Sequence, residues 1–263
     1  METNDEFDRI ATAIDRYVSD IRTDLDDRWS HWFTDLSRQQ EYEVLGGLMA
    51  REVSLATQLA LAPMCWNEHA APLFLRAMID AFLTFAWIFE EPDSRAQSFI
   101  KHGLGQEKLF IEHHKQRLRT KGLDPDSDPM IQQLEDWVNS IRFTFLTEVN
   151  VGNWNGSSTR KIATDLGYDD LYRYEYSRFS DAVHSMWNHV AKYNLDPCAN
   201  PLHRNHSVPR DLELDSDIGY VFVAARYVDK TFGVFDRHTA YLTTKPRAID
   251  TLTEVFTVLN DDL

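Results

Sequence analysis

Apolar residues recur at three- and four-residue steps along most of the chain, beginning with Phe7, Ile10, Ile14, Val18, Ile21 and Leu25. Asp and Arg fill the positions between them, so residues 4 to 32 are predicted to form an amphipathic helix with one packed and one solvated face. The same period resumes after Ser37, which with Gln40 three residues on has the composition of a capping box, and a second helix is predicted to end near Pro63. "LFLRAMIDAFLTFAWIF", residues 73 to 89, is apolar on nearly every side. It follows Asn67, tolerates Pro72 only near its first turn, and must stop ahead of Glu91-Pro92-Asp93. A fourth helix is expected from Pro92 to about Lys121, with a bend at Gly103 and Gly105 and an end at Gly122, and a fifth from about Asp128.

Beyond the loop "GNWNGSS", the pattern predicts a short helix over "TRKIATDLG" and a long one over residues 169 to 193. Residues 197 to 216 carry prolines and little periodicity and are predicted to be a long connection, followed by helices over about 216 to 242 and 246 to 260. No alternating strand and no internal repeat is evident. The expected fold is all-α, a single-domain multi-helix bundle over 1–263 built around a central apolar helix at about 67–90. An N-terminal layer (1–66), a helical core (67–242) and a C-terminal helix (243–263) make up that bundle.

The central helix poses the main chemical question, because it places Arg76, Asp80 and Thr84 on one line among Leu73, Phe74, Ile79, Phe82, Phe85 and Trp87. Burying a charge costs several kcal/mol (about 3–5) unless it is paired. The stripe must therefore face a polar cavity or complementary groups. Tyr176, Ser180 and His184 line up at four-residue steps on the predicted long helix, which makes that helix the expected neighbour, with Asp80 opposite His184. Such a network is either a satisfied structural cluster or the support of a functional histidine.

Charge narrows the classes. With 27 Lys and Arg against 42 Asp and Glu, the net charge is -15, which disfavours permanent coating of nucleic acid and suits a protein partner for the acidic surface. Lys108, His113, His114, Lys115, Arg117, Arg119 and Lys121 gather on the fourth helix, where they form either an anion- or RNA-contacting patch or, the favoured reading, a complement to the C-terminal end of the helix dipole. Ser157, Ser158, Thr159, Arg160 and Lys161 form a plausible anion-binding helix start. Two cysteines, Cys65 and Cys198, imply no disulfide framework and point to a reducing cytoplasm, and the acidic N-terminus reads as no targeting segment. The apolar run is about 17 residues long, at the lower limit for a span, and Arg76 and Asp80 interrupt it, so no membrane association is expected. Cys198, His203 and His206 are zinc-ligand types, but no fourth ligand is apparent, and neither a metal nor a cofactor is assigned. No phosphate-binding loop, dinucleotide fingerprint, HExxH or nucleophile elbow is present.

Taken together, Arg76, Ile79, Asp80 and Trp87, the stretch "WNGSSTRKIATDLG" at 154 to 167, and Tyr176, Ser180 and His184 resemble a family of bacterial helical proteins catalogued as a domain of unknown function, often met near mobile elements and phage-defence genes. A looser likeness is to the HEPN ribonucleases, helical toxins and defence nucleases marked by an arginine, four to six residues, and a histidine, here Arg178 and His184. That resemblance implies a composite, metal-independent site shared by two protomers, in which the arginine steadies the scissile phosphate and the histidine assists attack by the ribose 2′-hydroxyl. Phe179 stands where the superfamily more often has a polar residue, and on a regular helix Arg178 and His184 lie about 120° apart, so a helix break or a second copy is needed to join them. The expectation is an endoribonuclease of the toxin or phage-defence kind, a homodimer acting on RNA, with Arg178 and His184 catalytic and Arg76, Asp80, Tyr176 and Ser180 supporting. The alternative is a non-catalytic interaction or sensor module whose polar stripe is structural.

Overall fold

A computed structural model of the chain describes residues 2–32, 35–145, 156–211, 213–243 and 245–261. The described residues are almost entirely helical: α1 (Glu2–His31), α2 (Gln39–Ala60), α3 (Ala71–Glu90), α4 (Pro92–Thr120), α5 (Pro129–Phe145), α6 (Thr159–Asp165), α7 (Ser177–Val183), α8 (Trp187–Tyr193), α9 (Gly219–Thr239) and α10 (Ala248–Asp261). The all-α expectation holds. The chain groups into two compact units, one of residues 1–33, 48–86 and 163–263 and one of residues 34–47 and 87–162.

In the first unit the core is built on α3 and α9. Leu75, Met78, Ile79, Phe82 and Phe85 of α3 are fully buried, as are Tyr227 and Phe235 of α9, together with Tyr17, Ile21, Met49 and Leu59 from α1 and α2. α9 earns its place by spacing, since Val221, Ala224, Ala225, Val228, Phe232 and Phe235 fall on one face. α1 packs on α10, and Arg28 of α1 clasps Asp236 of α9 with two hydrogen bonds of 2.8 Å while lying 4.2 Å over the Phe232 ring. α3 is long and apolar enough to cross a membrane, yet more than half of that stretch is buried inside the protein.

One polar group in this core stands out energetically. Glu52 of α2 is wholly buried, and among the described residues neither carboxyl oxygen makes a hydrogen bond of ordinary geometry, the Phe82 backbone being the one donor that opposes the cost of burial; the hydroxyls of Tyr17, Thr57 and Thr231 are likewise buried without a partner there. Burial is the main cause that holds the Glu52 carboxyl well above the usual range, so the folded chain keeps a proton that the unfolded chain releases. Stability attributable to this group is therefore present below the ordinary glutamate pKa and lost as pH rises toward the elevated one. Glu52→Met, which removes the polar atoms at similar volume, is expected to raise stability by about 1–4 kcal/mol on the alkaline side and by less under mild acid, read from urea unfolding at two pH values. Equal stability of both chains at high pH would contradict this.

The second unit is organised by an antiparallel-style pairing of sequence neighbours. Leu104, Ile111 and Leu118 of α4 meet Ile131 and Val138 of α5, with Ile100, Leu134 and Ile141 around them. Asp128 caps α5, its carboxylate accepting from the Met130 and Ile131 amides at 3.0 and 3.1 Å. α4 ends where Gly122 adopts a φ of 71°, as expected. The basic residues of α4 are partly neutralised here: Lys115 lies 2.6 Å from Glu135, and His114 lies 3.9 Å from Asp128.

Three expectations need correction. The cap ahead of α2 is Asp35, which accepts from the Ser37 amide at the start of a 3-10 turn, so Ser37 is not the capping residue. The predicted long helix over 169 to 193 is instead a π-helical segment (Leu171–Tyr176), α7, a break at residues 184 to 186, and α8. The break arises because Ser185 takes a left-handed conformation, φ 49°. Finally, the connection after α8 contains a small antiparallel hairpin, β1 (Leu195–Pro197) with β2 (Ser207–Pro209). Trp154 and Asn155 of the "GNWNGSS" loop lie outside the described residues; Ser158 caps α6, its hydroxyl accepting from the Lys161 amide at 3.2 Å.

Candidate functional site

The α3 stripe and the π-helical segment meet as the spacing predicts. Arg76 donates from Nε to the Ser180 hydroxyl at 2.8 Å, from one terminal nitrogen to Asp80 and from the other to the Tyr176 hydroxyl, and its guanidinium lies 3.5 Å from the Tyr176 ring centroid. Tyr172 stacks on Tyr176 at 4.7 Å. Tyr176 is the last residue of the π-helical segment and Ser180 lies one turn further on, in α7. Arg76 is only 14% exposed at the side chain whereas Asp80 is 49% exposed. Partial burial raises the Asp80 carboxyl and Arg76 opposes that rise. The expected pairing of Asp80 with His184 is not what the structure presents: Asp80 pairs with Arg76, and His184 is an exposed residue at the C-cap of α7, its amide bonded to the Ser180 carbonyl at 2.9 Å.

Arg178 sits between the two anchors Tyr176 and Ser180, and it is exposed. It lines an open cleft of about 250 Å³ whose other walls come from Glu68 ahead of α3 and Pro72 in its first turn, from α7 and α8 (Asp181, Asn188, His189, Lys192, Tyr193) and from Tyr220 of α9. The cleft lining includes His189 and not His184. The helix break that joining Arg178 to a histidine required is therefore present, and it delivers a different histidine.

His189 has the environment of a working imidazole. It is half-buried, stands edge-on to His69 at 5.6 Å between ring centroids and tilts against Tyr193 at 4.8 Å. Burial, reinforced by the neighbouring His69, lowers its pKa, with Asp181 and Glu68 pulling the other way. The ring is thereby kept neutral at neutral pH, the form that accepts a proton. Asn188 donates to Asp181 at 2.5 Å, which ties the first turn of α8 to α7 across the break. Lys192 follows one turn after Asn188 and lies 4.7 Å over the Tyr193 ring. Burial also raises the Tyr220 phenol, keeping it protonated as a hydrogen-bond donor.

The site thus combines two cations, a neutral imidazole and two phenols with two carboxylates, Glu68 and Asp181. The sequence pattern singled out Arg178 and the network that flanks it; it did not single out His189, Lys192 and Tyr220, which line the same cleft. A regular helix spanning 169 to 193 would separate Arg178 from His189 by eleven residues, and neither Gly nor Pro announces the break that brings them to one cleft.

Residues 42–199, more than half of the chain, match the family described as Family of unknown function (DUF5677). No curated protein and no solved structure matches the chain. The matched stretch takes in the Arg76 network, Arg178, His189 and Lys192, whereas Tyr220 lies beyond it. By that match the chain belongs to the DUF5677 family of unknown function.

Proposed function

We propose that the cleft lined by Arg178, His189 and Lys192 is a metal-independent ribonuclease site. The observation that carries this reading is the half-buried imidazole of His189, its pKa lowered by burial, sharing one open cleft with Arg178 and Lys192. In the proposed reaction His189 takes the proton of a ribose 2′-hydroxyl, the 2′-oxygen attacks the adjacent phosphorus, and the bond to the 5′-oxygen breaks. That oxygen leaves with a proton from water, the hydroxide so formed takes the proton back from the His189 imidazolium, and the strand ends in a 2′,3′-cyclic phosphate. Arg178 and Lys192 offset the charge that builds on the phosphoryl oxygens, while Tyr193 and Tyr220 offer ring faces to a base. The Arg76 network acts as a positioning device, since Tyr176 and Ser180 fix the segment from which Arg178 projects. A homodimer is the proposed assembly, and exposed Tyr174, Met186 and Trp187 give the same segment an apolar surface for a second copy.

The test is incubation of purified protein with total RNA and with tRNA in the presence of EDTA. Discrete cleavage supports the reading, and intact RNA after full-length, folded protein at high concentration opposes it. Arg178→Ala and Lys192→Ala are each expected to reduce the slope of log affinity against log salt for an oligoribonucleotide by about 0.7, measured by fluorescence anisotropy. A second reading, a non-catalytic interaction module, draws on Glu68 and Asp181, which offset the cleft's two cations, and on the net charge of -15. It predicts a protein partner and no change in RNA.

A further inference from the structure

The hairpin that follows α8 holds three metal-ligand side chains at its tip. Cys198 comes directly after β1, His206 directly before β2, and the Cys198 amide donates to the His206 carbonyl at 2.9 Å, so these two positions face each other at the end of the ladder. His203 is returned toward them by the turn between. Its amide donates to the Asn200 carbonyl at 2.9 Å, the Asn200 side chain accepts from the Leu202 amide at 3.0 Å, and Asn205 takes a φ of 64°. The Asp196–Arg210 ion pair at 2.6 Å and the Arg210 amide on the Asn194 carbonyl, at 2.9 Å, hold the base of the hairpin.

The donor atoms of Cys198, His203 and His206 all lie within 4.8 Å of one another, and the Cys198 sulfur is 3.8 Å from Nδ1 of His203. A tetrahedral zinc with ordinary sulfur and nitrogen bond lengths sets those two atoms about 3.6 Å apart. Small rotations of two exposed rings close the remaining gap. Apart from these hydrogen bonds the tip has little to hold it: residues 199 to 207 are all exposed, and Leu202 is 88% exposed, so no apolar core fixes the turn. One thiolate and two imidazoles are the donor set for a divalent ion of the zinc or cobalt class rather than for magnesium or calcium, which take oxygen ligands.

We infer that Cys198, His203 and His206 bind one divalent transition-metal ion of the zinc class, with a fourth position open to water or to a donor atom of a bound molecule. This goes beyond the ribonuclease reading and is independent of it, since the proposed cleavage uses none of the three residues. The ion cross-links the two ends of the tip to its middle.

Cobalt titration of the full-length, reduced and dialysed protein tests the site without any activity readout. The wild type is expected to develop a thiolate-to-cobalt charge-transfer band that saturates at one equivalent and is bleached by zinc. Cys198→Ser should lose the band and Cys65→Ser should keep it, which assigns the thiolate. His203→Ala and His206→Ala should each weaken cobalt binding on the order of a hundredfold or more, with unchanged far-UV circular dichroism, as exposed positions allow. Absence of the band in the wild type, its survival in Cys198→Ser, or wild-type affinity in both histidine variants would each overturn the assignment.

Discussion

Arg76→Ala is expected to cost about 2–4 kcal/mol of folding stability. The size follows from what one side chain holds. Arg76 is largely buried and satisfies three groups at once, the Asp80 carboxylate, the Tyr176 hydroxyl and the Ser180 hydroxyl, while its guanidinium covers the Tyr176 ring. Truncation strands the two hydroxyls, leaves Asp80 to water on its exposed side, and opens a cavity against the π-helical turn. Asp80→Asn should cost less, about 0–1 kcal/mol, because Asp80 is half exposed and Arg76 keeps its two hydroxyl partners. The pH dependence carries the same signature. Burial already raises the Asp80 carboxyl and Arg76 is the group opposing it. Removing Arg76 raises it further, so Arg76→Ala should lose additional stability as pH rises from the ordinary aspartate range through the elevated one. Urea unfolding of the three chains across that range checks both statements; equal stability of Arg76→Ala and Asp80→Asn would show that the hydroxyl contacts contribute nothing.

The second large effect concerns His189. Under the ribonuclease reading, His189→Ala should lower cleavage by about 10²–10⁴-fold, the usual contribution of a positioned general base. His184→Ala should leave it near the wild-type rate, since His184 is exposed at the end of α7 and does not line the cleft. A base acts only when neutral. Burial and His69 lower the His189 pKa, so the neutral fraction, and with it the rate, should persist to more acidic pH than an ordinary imidazole permits. Raising the salt concentration should weaken binding through Arg178 and Lys192 while leaving the protonation of His189 in control of the chemical step.

How far the sequence speaks depends on which physical signal each feature leaves in it. The seven-residue spacing of Leu104, Ile111 and Leu118 against Ile131 and Val138 is written directly in the chain, and so is the face of α9, because burial of a helix requires periodicity. Arg76 could be matched to Tyr176 and Ser180 because charges on an apolar helix demand partners and the partners repeat at four-residue steps. The path of the chain after Ser180 is a different matter. Ser185 adopts a left-handed conformation that Gly or Asn usually marks, and without such a marker the run from Asp169 to Asn194 looks like one helix. An unbroken helix puts His184 beneath Ser180 and His189 on the opposite side from Ser180, and that is why His184 rather than His189 was singled out. The hairpin escaped for a related reason: strands of three residues containing Pro197 and Pro209 are too short to alternate. Its consequence, the convergence of Cys198, His203 and His206, depends on backbone pairing and not on spacing along the chain.

The most direct test of the central proposal is the initial rate of RNA cleavage, in EDTA, by wild type, His189→Ala and His184→Ala, each verified as folded by circular dichroism. The account predicts discrete products with 2′,3′-cyclic phosphate ends from the wild type and His184→Ala, and almost none from His189→Ala. Cleavage that survives loss of His189, or that disappears with His184 alone, would contradict it.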